Sequence, residues 1–237
     1  MTFELKHNPA PELPAIKMKC DGGLHKKLNK YEITSYMNKH ATNLFIGRPG
    51  SGKTSLITSM FKSKELFYHV FNNIYLFQPS NSRASMKDDI FDSIDRKYDE
   101  LNYENLSEVM EQIKDEDTKY TNCIILDDQG AYLKNKEVRK LLKELIFNRR
   151  HLRTSVFFLT QTYLSVDKEI RKLFSNLFVF KVSKKELELI FDELVEEAKD
   201  LVQPISKFVF DVPYNFLFIN TDSGKMYKNF DEIILDD

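Results

Sequence analysis

Five short stretches of the chain are almost wholly apolar: 42–46 (TNLFI), 74–78 (IYLFQ), 122–126 (NCIIL), 155–160 (SVFFLT) and 177–182 (LFVFKV). They are continuous rather than alternating, and rich in β-branched or aromatic residues. That pattern predicts strands buried on both faces. Segments of helical period lie between them. Val138, Leu141, Leu142, Leu145 and Ile146 make one apolar stripe, and Leu187, Ile190, Phe191, Leu194 and Ala198 make another. Strands alternating with helices predict an α/β fold with a mostly parallel central sheet flanked by helices. Residues 87–118 are charged and read as helical. Past 206 the pattern changes. "KFVFDV", "NFLFIN" and "KMYKNF" surround the turn signal "TDSGK", which predicts a small C-terminal β-hairpin. Residues 1–40, rich in Pro and Lys, read as an arm. Residues 41–237 read as one domain, with its last helix and hairpin beginning at about 184.

The first strand runs into "GRPGSGKT", Gly47 to Thr54, which fits G-x-x-x-x-G-K-[ST] without a gap. A helical stretch, Ser55 to Phe61, follows. That strand–loop–helix context marks a phosphate-binding loop. Gly47, Gly50 and Gly52 let the backbone turn its N–H groups toward an anion, with Arg48, Pro49 and Ser51 between them. The helix start adds its positive end. Lys53 is expected to reach the β- and γ-phosphates. The Thr54 hydroxyl is expected to hold Mg²⁺, and Ser55 to complete the nucleotide contacts.

A second motif stands about 70 residues downstream, where "CIILDDQG" ends an apolar strand in two acids. A carboxylate there can hold Mg²⁺, a role that fits Asp127. An adjacent one can orient and deprotonate water, a role that fits Asp128. Paired acids point to NTPases that hydrolyse ATP to drive movement. The spacing suits the additional-strand type of P-loop NTPase, with 155–160 inserted between the phosphate-loop strand and the Mg²⁺ strand. Gln161 would then stand at the sheet's carboxyl edge beside the γ-phosphate, as a buried amide that positions water or senses the phosphate.

"FIGRPGSGKTSLI", "CIILDDQG", "NRRHLRTSVFFLTQTY" and "VDKEIRKLFSNLFVFK" occur in that order. Together they resemble the genome-packaging ATPases of nucleocytoplasmic large DNA viruses and virophages, within the FtsK–HerA superfamily of DNA pumps. The likeness spans roughly 42–182. It implies a RecA/FtsK-like ATPase that uses ATP and Mg²⁺ and assembles as a hexameric or pentameric ring. Such an enzyme pushes double-stranded DNA into a preformed capsid, in the host cytoplasm or a viral factory. By family position Lys53, Asp128 and Gln161 would be catalytic, with Asp127 and Thr54 on the metal. Arg150 would be the arginine finger reaching a neighbouring subunit. Some relatives carry another arginine before the fifth strand, where this chain has Asn176-Leu177, so Arg149, Arg153 and Arg171 stand as rivals to Arg150. The other readings are a P-loop nucleoside or nucleotide kinase, a cellular or plasmid HerA-like pump, and a non-hydrolysing scaffold. The first lacks a sensor-glutamine strand, the second usually carries extra domains, and the third has no need of Asp128 or Gln161.

Composition changes the picture in three places. The 237 residues carry a net charge of −1, so any DNA-binding surface must be a local patch. One such patch is 134–153, with eight Lys/Arg against two Glu; 184–200 is its opposite, with seven acids against three Lys. Two complementary faces are what a head-to-tail ring requires. The N-terminal lysines Lys17, Lys19, Lys26, Lys27 and Lys30 are a further candidate contact for DNA or capsid protein. Cys20 and Cys123 make no disulfide framework, His spacing predicts no structural zinc, and no apolar run is long enough to span a membrane. These features suit a reducing intracellular setting or a particle assembled there.

Overall fold

The computed structural model describes residues 3–6, 40–80, 90–195 and 199–235. Ten strands form one sheet: β1 Phe3–Lys6, β2 Thr42–Ile46, β3 Asn73–Phe77, β4 Arg96–Tyr98, β5 Asn122–Asp127, β6 Thr154–Thr160, β7 Asn176–Val179, β8 Leu217–Asn220, β9 Met226–Lys228 and β10 Asp231–Leu235. The helices are α1 Lys53–Lys62, α2 Tyr103–Asp115, α3 Lys136–Asn148, α4 Lys168–Arg171, α5 Lys184–Leu194 and α6 Val202–Val209. The sheet order is β1-β10-β9-β8-β7-β2-β6-β5-β3-β4. From β7 to β4 every pairing is parallel, and from β7 to β1 every pairing is antiparallel.

The continuous apolar runs become central strands because both faces of the sheet are covered. On one face Leu44, Ile46, Ile124, Leu126, Val156, Phe158, Leu177 and Val179 pack against α2, α3, α5 and α6. On the other, Phe45, Ile125, Phe157, Leu159 and Phe178 meet Leu56, Ile57, Met60 and Phe61 of α1. This second face is aromatic. Phe45 stacks on Phe178 at 4.4 Å between ring centres, and Phe178 stacks on Phe218 at 4.8 Å. Phe61 and Phe67 meet Phe157 edge-on at 5.3 and 5.2 Å. The phenylalanines of the strands are therefore core.

Helix ends are set by the residues expected to set them. Asn102, Asn135 and Ser183 accept backbone N–H bonds at the starts of α2, α3 and α5.

Two expectations are corrected, and two elements extend what the sequence predicts. Among the described residues of 87–118, only Tyr103–Asp115 is α-helical, while Arg96–Tyr98 adds a parallel strand at the edge of the sheet. The first half of "KFVFDV", Lys207–Val209, lies in α6, whose Val202, Ile205 and Val209 recur at helical spacing. The C-terminal hairpin is larger than expected, a β8-β9-β10 meander that extends the main sheet through β7. Phe3–Lys6, inside the expected arm, forms a strand on β10. Lys17, Lys19, Lys26, Lys27, Lys30 and Cys20 lie outside the described residues.

At the amino end of the parallel strands, asparagines pair across the sheet, all of them buried except the half-buried Asn73. Asn220 Nδ2 donates to Asn176 Oδ1 at 2.9 Å, and Asn176 Nδ2 donates to Asn43 Oδ1 at 3.0 Å. Asn73 Nδ2 donates to Asn122 Oδ1 at 3.0 Å. These amides sit in register: Asn43 opposite Asn176, Asn176 opposite Asn220, Asn73 opposite Asn122. Asn176 is thus a buried structural amide.

Candidate active site

The inserted strand stands where the sequence places it, with β6 between β2 and β5. The carboxyl ends of these three strands carry the phosphate loop, Gln161 and the acid pair side by side.

Gly47 leaves β2 by donating to Thr160 O at 3.1 Å. A Cβ on Gly47 would lie 2.6 Å from Ser51 Oγ and 2.8 Å from Phe180 Cβ, so no side chain fits there. Gly50 and Gly52 adopt φ of 76° and 104°, which glycine alone takes without strain. Gly52 sits at the start of α1, whose first turn contains no acid. The first N–H groups of a helix have no partner inside it, and here they meet the loop. Lys53 Nζ donates to Gly47 O at 2.6 Å and to Arg48 O at 3.3 Å. Ser51 Oγ is buried with no hydrogen-bond partner among the described residues. An unpartnered hydroxyl, a loop too tight for a Cβ and a lysine folded over it form a donor set that fits a polyphosphate. Burial pushes the Lys53 ammonium below the ordinary lysine range, and the charges of Asp127 and Asp128 oppose that shift.

Asp127 closes β5 half-buried, and its Oδ2 accepts from Gln78 Nε2 at 2.8 Å. Gln78 is 4% exposed and anchored by its own N–H to Tyr98 O at 2.9 Å. A carboxylate with Thr54 beside Lys53 is an oxygen donor set suited to Mg²⁺. Asp128 is exposed and takes φ of 55°, a conformation unusual for a residue with a side chain. Its Oδ2 accepts from Gln161 Nε2 at 2.8 Å. Gln161 is therefore paired with an acid, but exposed rather than buried as expected. Gln129 follows, fully buried. Its Oε1 accepts from Leu101 N at 2.9 Å, and its amide donates to Asp99 O at 3.4 Å and Asp127 O at 3.3 Å. Gln78 and Gln129 were not among the sequence candidates. Gln78 closes an apolar strand as Gln161 does, and that same signal marks it.

The segment after Gln161 is bolted down. Tyr163 N donates to Glu186, and Tyr163 OH donates to Glu193 Oε2 at 3.0 Å. Arg171 grips the same Glu193 through Nε and Nη2 at 2.8 and 2.6 Å. Those bonds hold the Glu193 carboxyl below the usual carboxylate range. Arg171 is buried in this contact and points into its own subunit. Arg149 Nε donates to His40 O at 2.9 Å, and Arg153 Nε donates to Tyr120 O at 3.1 Å. Arg150 alone of the four is exposed and makes no side-chain hydrogen bond or ion pair among the described residues. It lies before β6, at the opposite edge of the sheet from Lys53. Seven residues of strand, about 23 Å, separate the two edges, so the structure does not bring Arg150 to its own phosphate loop.

The charged segments are partly used internally. Arg139 pairs with Asp167 at 2.8 Å, Lys143 pairs with Glu169, and Glu186 and Glu193 of α5 serve the Tyr163 contacts. Lys136 and Lys140 remain exposed. No helix among the described residues is long and apolar enough to cross a membrane.

Comparison with known proteins agrees with this architecture. The chain is similar to the genome packaging NTPase B204 of Sulfolobus turreted icosahedral virus 2 in complex with ATP-gammaS. The match has 19% identity and a TM-score of 0.62, covering 81% of this chain and 98% of that one. It is equally similar to B204, the DNA-packaging ATPase of Sulfolobus turreted icosahedral virus, at 20% identity and a TM-score of 0.62 over the same shares. The cytoplasmic domain of the type VII secretion ATPase EccC from Thermomonospora curvata matches at 14% identity with a TM-score of 0.53. There, 82% of this chain corresponds to 23% of that one. A comparison with curated proteins gives no match. The fold is that of P-loop ATPases with a mostly parallel sheet extended by C-terminal antiparallel strands. The model of the Poxvirus A32 protein family matches residues 28–223, most of the chain, and the protein belongs to that family.

Proposed function

We propose that the protein is a Mg²⁺-dependent ATPase that works as a homo-oligomeric ring, a hexamer or pentamer. It would move double-stranded DNA into a preformed viral capsid within the infected cell. The observation that carries this reading is the Asp128–Gln161 hydrogen bond at the mouth of the phosphate loop. A phosphate-binding protein with no hydrolysis to perform has no need of an acid and an amide held together beside Lys53. Family membership and the likeness to solved viral packaging ATPases, one with ATP-gammaS bound, support the same reading.

In this mechanism the backbone of Gly47, Arg48, Pro49, Gly50, Ser51 and Gly52 cradles the phosphates. Lys53 bridges the β- and γ-phosphates, and Ser55 adds a contact at the start of α1. Thr54 and Asp127 would hold Mg²⁺, with Gln78 fixing the Asp127 carboxylate. When bound, Mg²⁺ neutralises charge on the phosphate oxygens. Asp128 takes the proton of the attacking water, and Gln161 orients that water against the γ-phosphate. Arg150, exposed and uncommitted, enters the site of a neighbouring subunit and stabilises the transition-state charge. The commitments of Arg149, Arg153 and Arg171 within their own subunit support that assignment. Exposed Lys136 and Lys140 are the nearest candidates for DNA phosphate contacts.

The test is ATP hydrolysis with and without linear double-stranded DNA, with Lys53→Ala as control. Expected are low basal hydrolysis, a several-fold rise with DNA, and loss of both in the variant. Acceleration by a nucleoside or nucleotide acceptor, with no response to DNA, overturns the motor in favour of a kinase.

A further inference from the structure

The phosphate end of the site has a direction. Asp127, Asp128 and Gln161 lie on the β6 and β5 side of the phosphate loop, so the terminal phosphate points that way. The rest of the nucleotide must leave on the other side, toward β7 and β8. β8 runs antiparallel to β7 with Leu217 opposite Val179, so residues 211–216 arrive at this carboxyl edge. There Tyr214 stands 69% exposed, in contact with the loop: a Cβ on Gly52 would lie 3.4 Å from Tyr214 Cδ1 and 3.4 Å from Phe180 Cε1.

Tyr214 is held in place. Its φ is 68°, a backbone setting that a bulky aromatic residue rarely takes. Both sides of it are pinned. Asn215 Nδ2 donates to Asp211 Oδ1 at 3.0 Å, and Asn229 Nδ2 donates to Asn215 Oδ1 at 2.9 Å. Phe216 N donates to Asn229 Oδ1 at 3.1 Å, and Lys228 Nζ donates to Asp211 Oδ2 at 2.8 Å. Behind the loop, Phe216 packs on Phe180 and Phe230 at 5.6 and 5.4 Å. A rigid, strained, solvent-facing aromatic beside a phosphate loop is a stacking surface with its ordering cost already met.

We propose that the ring of Tyr214 is the platform on which the base of the bound nucleotide stacks, the loop 211–216 forming that end of the site. This rests on the ATPase reading above. Stacking on a ring face tolerates any base, so Tyr214 supplies affinity for a nucleotide over bare polyphosphate rather than choice among bases.

Calorimetric titration with Mg²⁺ and either a non-hydrolysable ATP analogue or inorganic tripolyphosphate separates the possibilities. Tyr214→Gly is the informative variant, because glycine keeps the positive φ without strain; thermal melting checks its fold, and Tyr214→Phe keeps the ring. The expected result is about tenfold weaker analogue binding in Tyr214→Gly, unchanged tripolyphosphate binding, and wild-type behaviour in Tyr214→Phe. Equal loss for both ligands overturns the proposal, since Tyr214 then only shapes the phosphate loop. No loss for either also overturns it and assigns the exposed ring to another contact, such as a neighbouring subunit or DNA. Wild-type protein that binds neither ligand overturns the ATPase reading itself, and the proposal with it.

Discussion

The two edges of the central sheet are built from similar residues and treated in opposite ways. At the amino edge Asn43, Asn176 and Asn220 are buried and joined amide to amide, with Asn43 Nδ2 left without a partner among the described residues, and half-buried Asn73 donates to Asn122 nearby. At the carboxyl edge Asp128 and Gln161 are paired yet exposed, and Ser51 Oγ has no partner among the described residues. Positive φ values occur at both edges: at Gly50, Gly52, Asp128 and Tyr214 at the carboxyl edge, and at Arg153 at the amino edge. The amino edge turns most of its amides on one another, whereas the carboxyl edge holds an exposed acid–amide pair and an unpartnered hydroxyl. The same side-chain chemistry thus serves architecture or reaction according to whether its hydrogen bonds close on the protein.

That contrast is open to test. The largest effect is expected from Asp128→Asn. It should lower turnover by about 10²- to 10⁴-fold while thermal stability stays the same, because asparagine is at ease with φ near 55°. A matching fall in melting temperature would make Asp128 an architectural residue and erase the contrast. Next comes Asn176→Ala at the other edge. It leaves Asn43 Oδ1 without its donor, while Asn220 Nδ2 keeps its bond to Ser175 O, and should cost about 2 kcal/mol in chemical unfolding. Turnover per folded molecule should not change. The smallest effect is a pH dependence at Lys53. Burial lowers its pKa below the ordinary lysine value of 10.5, so below that value the unfolded chain holds its proton more firmly. The unfolded state then binds more protons, and stability from this group rises with pH. Lys53→Met should be more stable than the parent near neutrality, with the gap shrinking as pH climbs toward 10.5.

Much of this was legible in the sequence, and the limits have physical causes. The five apolar runs give their strands away because burial on both faces demands unbroken hydrophobicity. The gathering of Lys53, Asp127, Asp128 and Gln161 at one edge of the sheet is legible because each follows the end of a recognisable apolar run. Arg96–Tyr98 is not. Three residues at a sheet edge show no period, and Arg96 is polar because it reaches Tyr75 OH and Glu116. "KFVFDV" misleads because an apolar cluster ending a short helix looks like the start of a strand. Gln161 reads as buried because it follows a buried strand, yet the strand ends one residue before it. Tyr214 is invisible in the sequence, since only the fold carries residue 214 back to residue 52.

The asparagine ladder also bears on how the chain finds its fold. Residues 43, 176 and 220 are far apart in sequence and must meet at one height across three strands. A slip of one residue turns every side chain of a strand to the opposite face. Here a slip would leave each amide stranded among Leu and Phe, at about 1–3 kcal/mol for each unsatisfied group. Parallel strands drawn from distant segments assemble slowly and offer many near-miss pairings. The ladder makes those near misses costly, and so acts as a proofreading mark for the alignment that later sets the height of the phosphate loop.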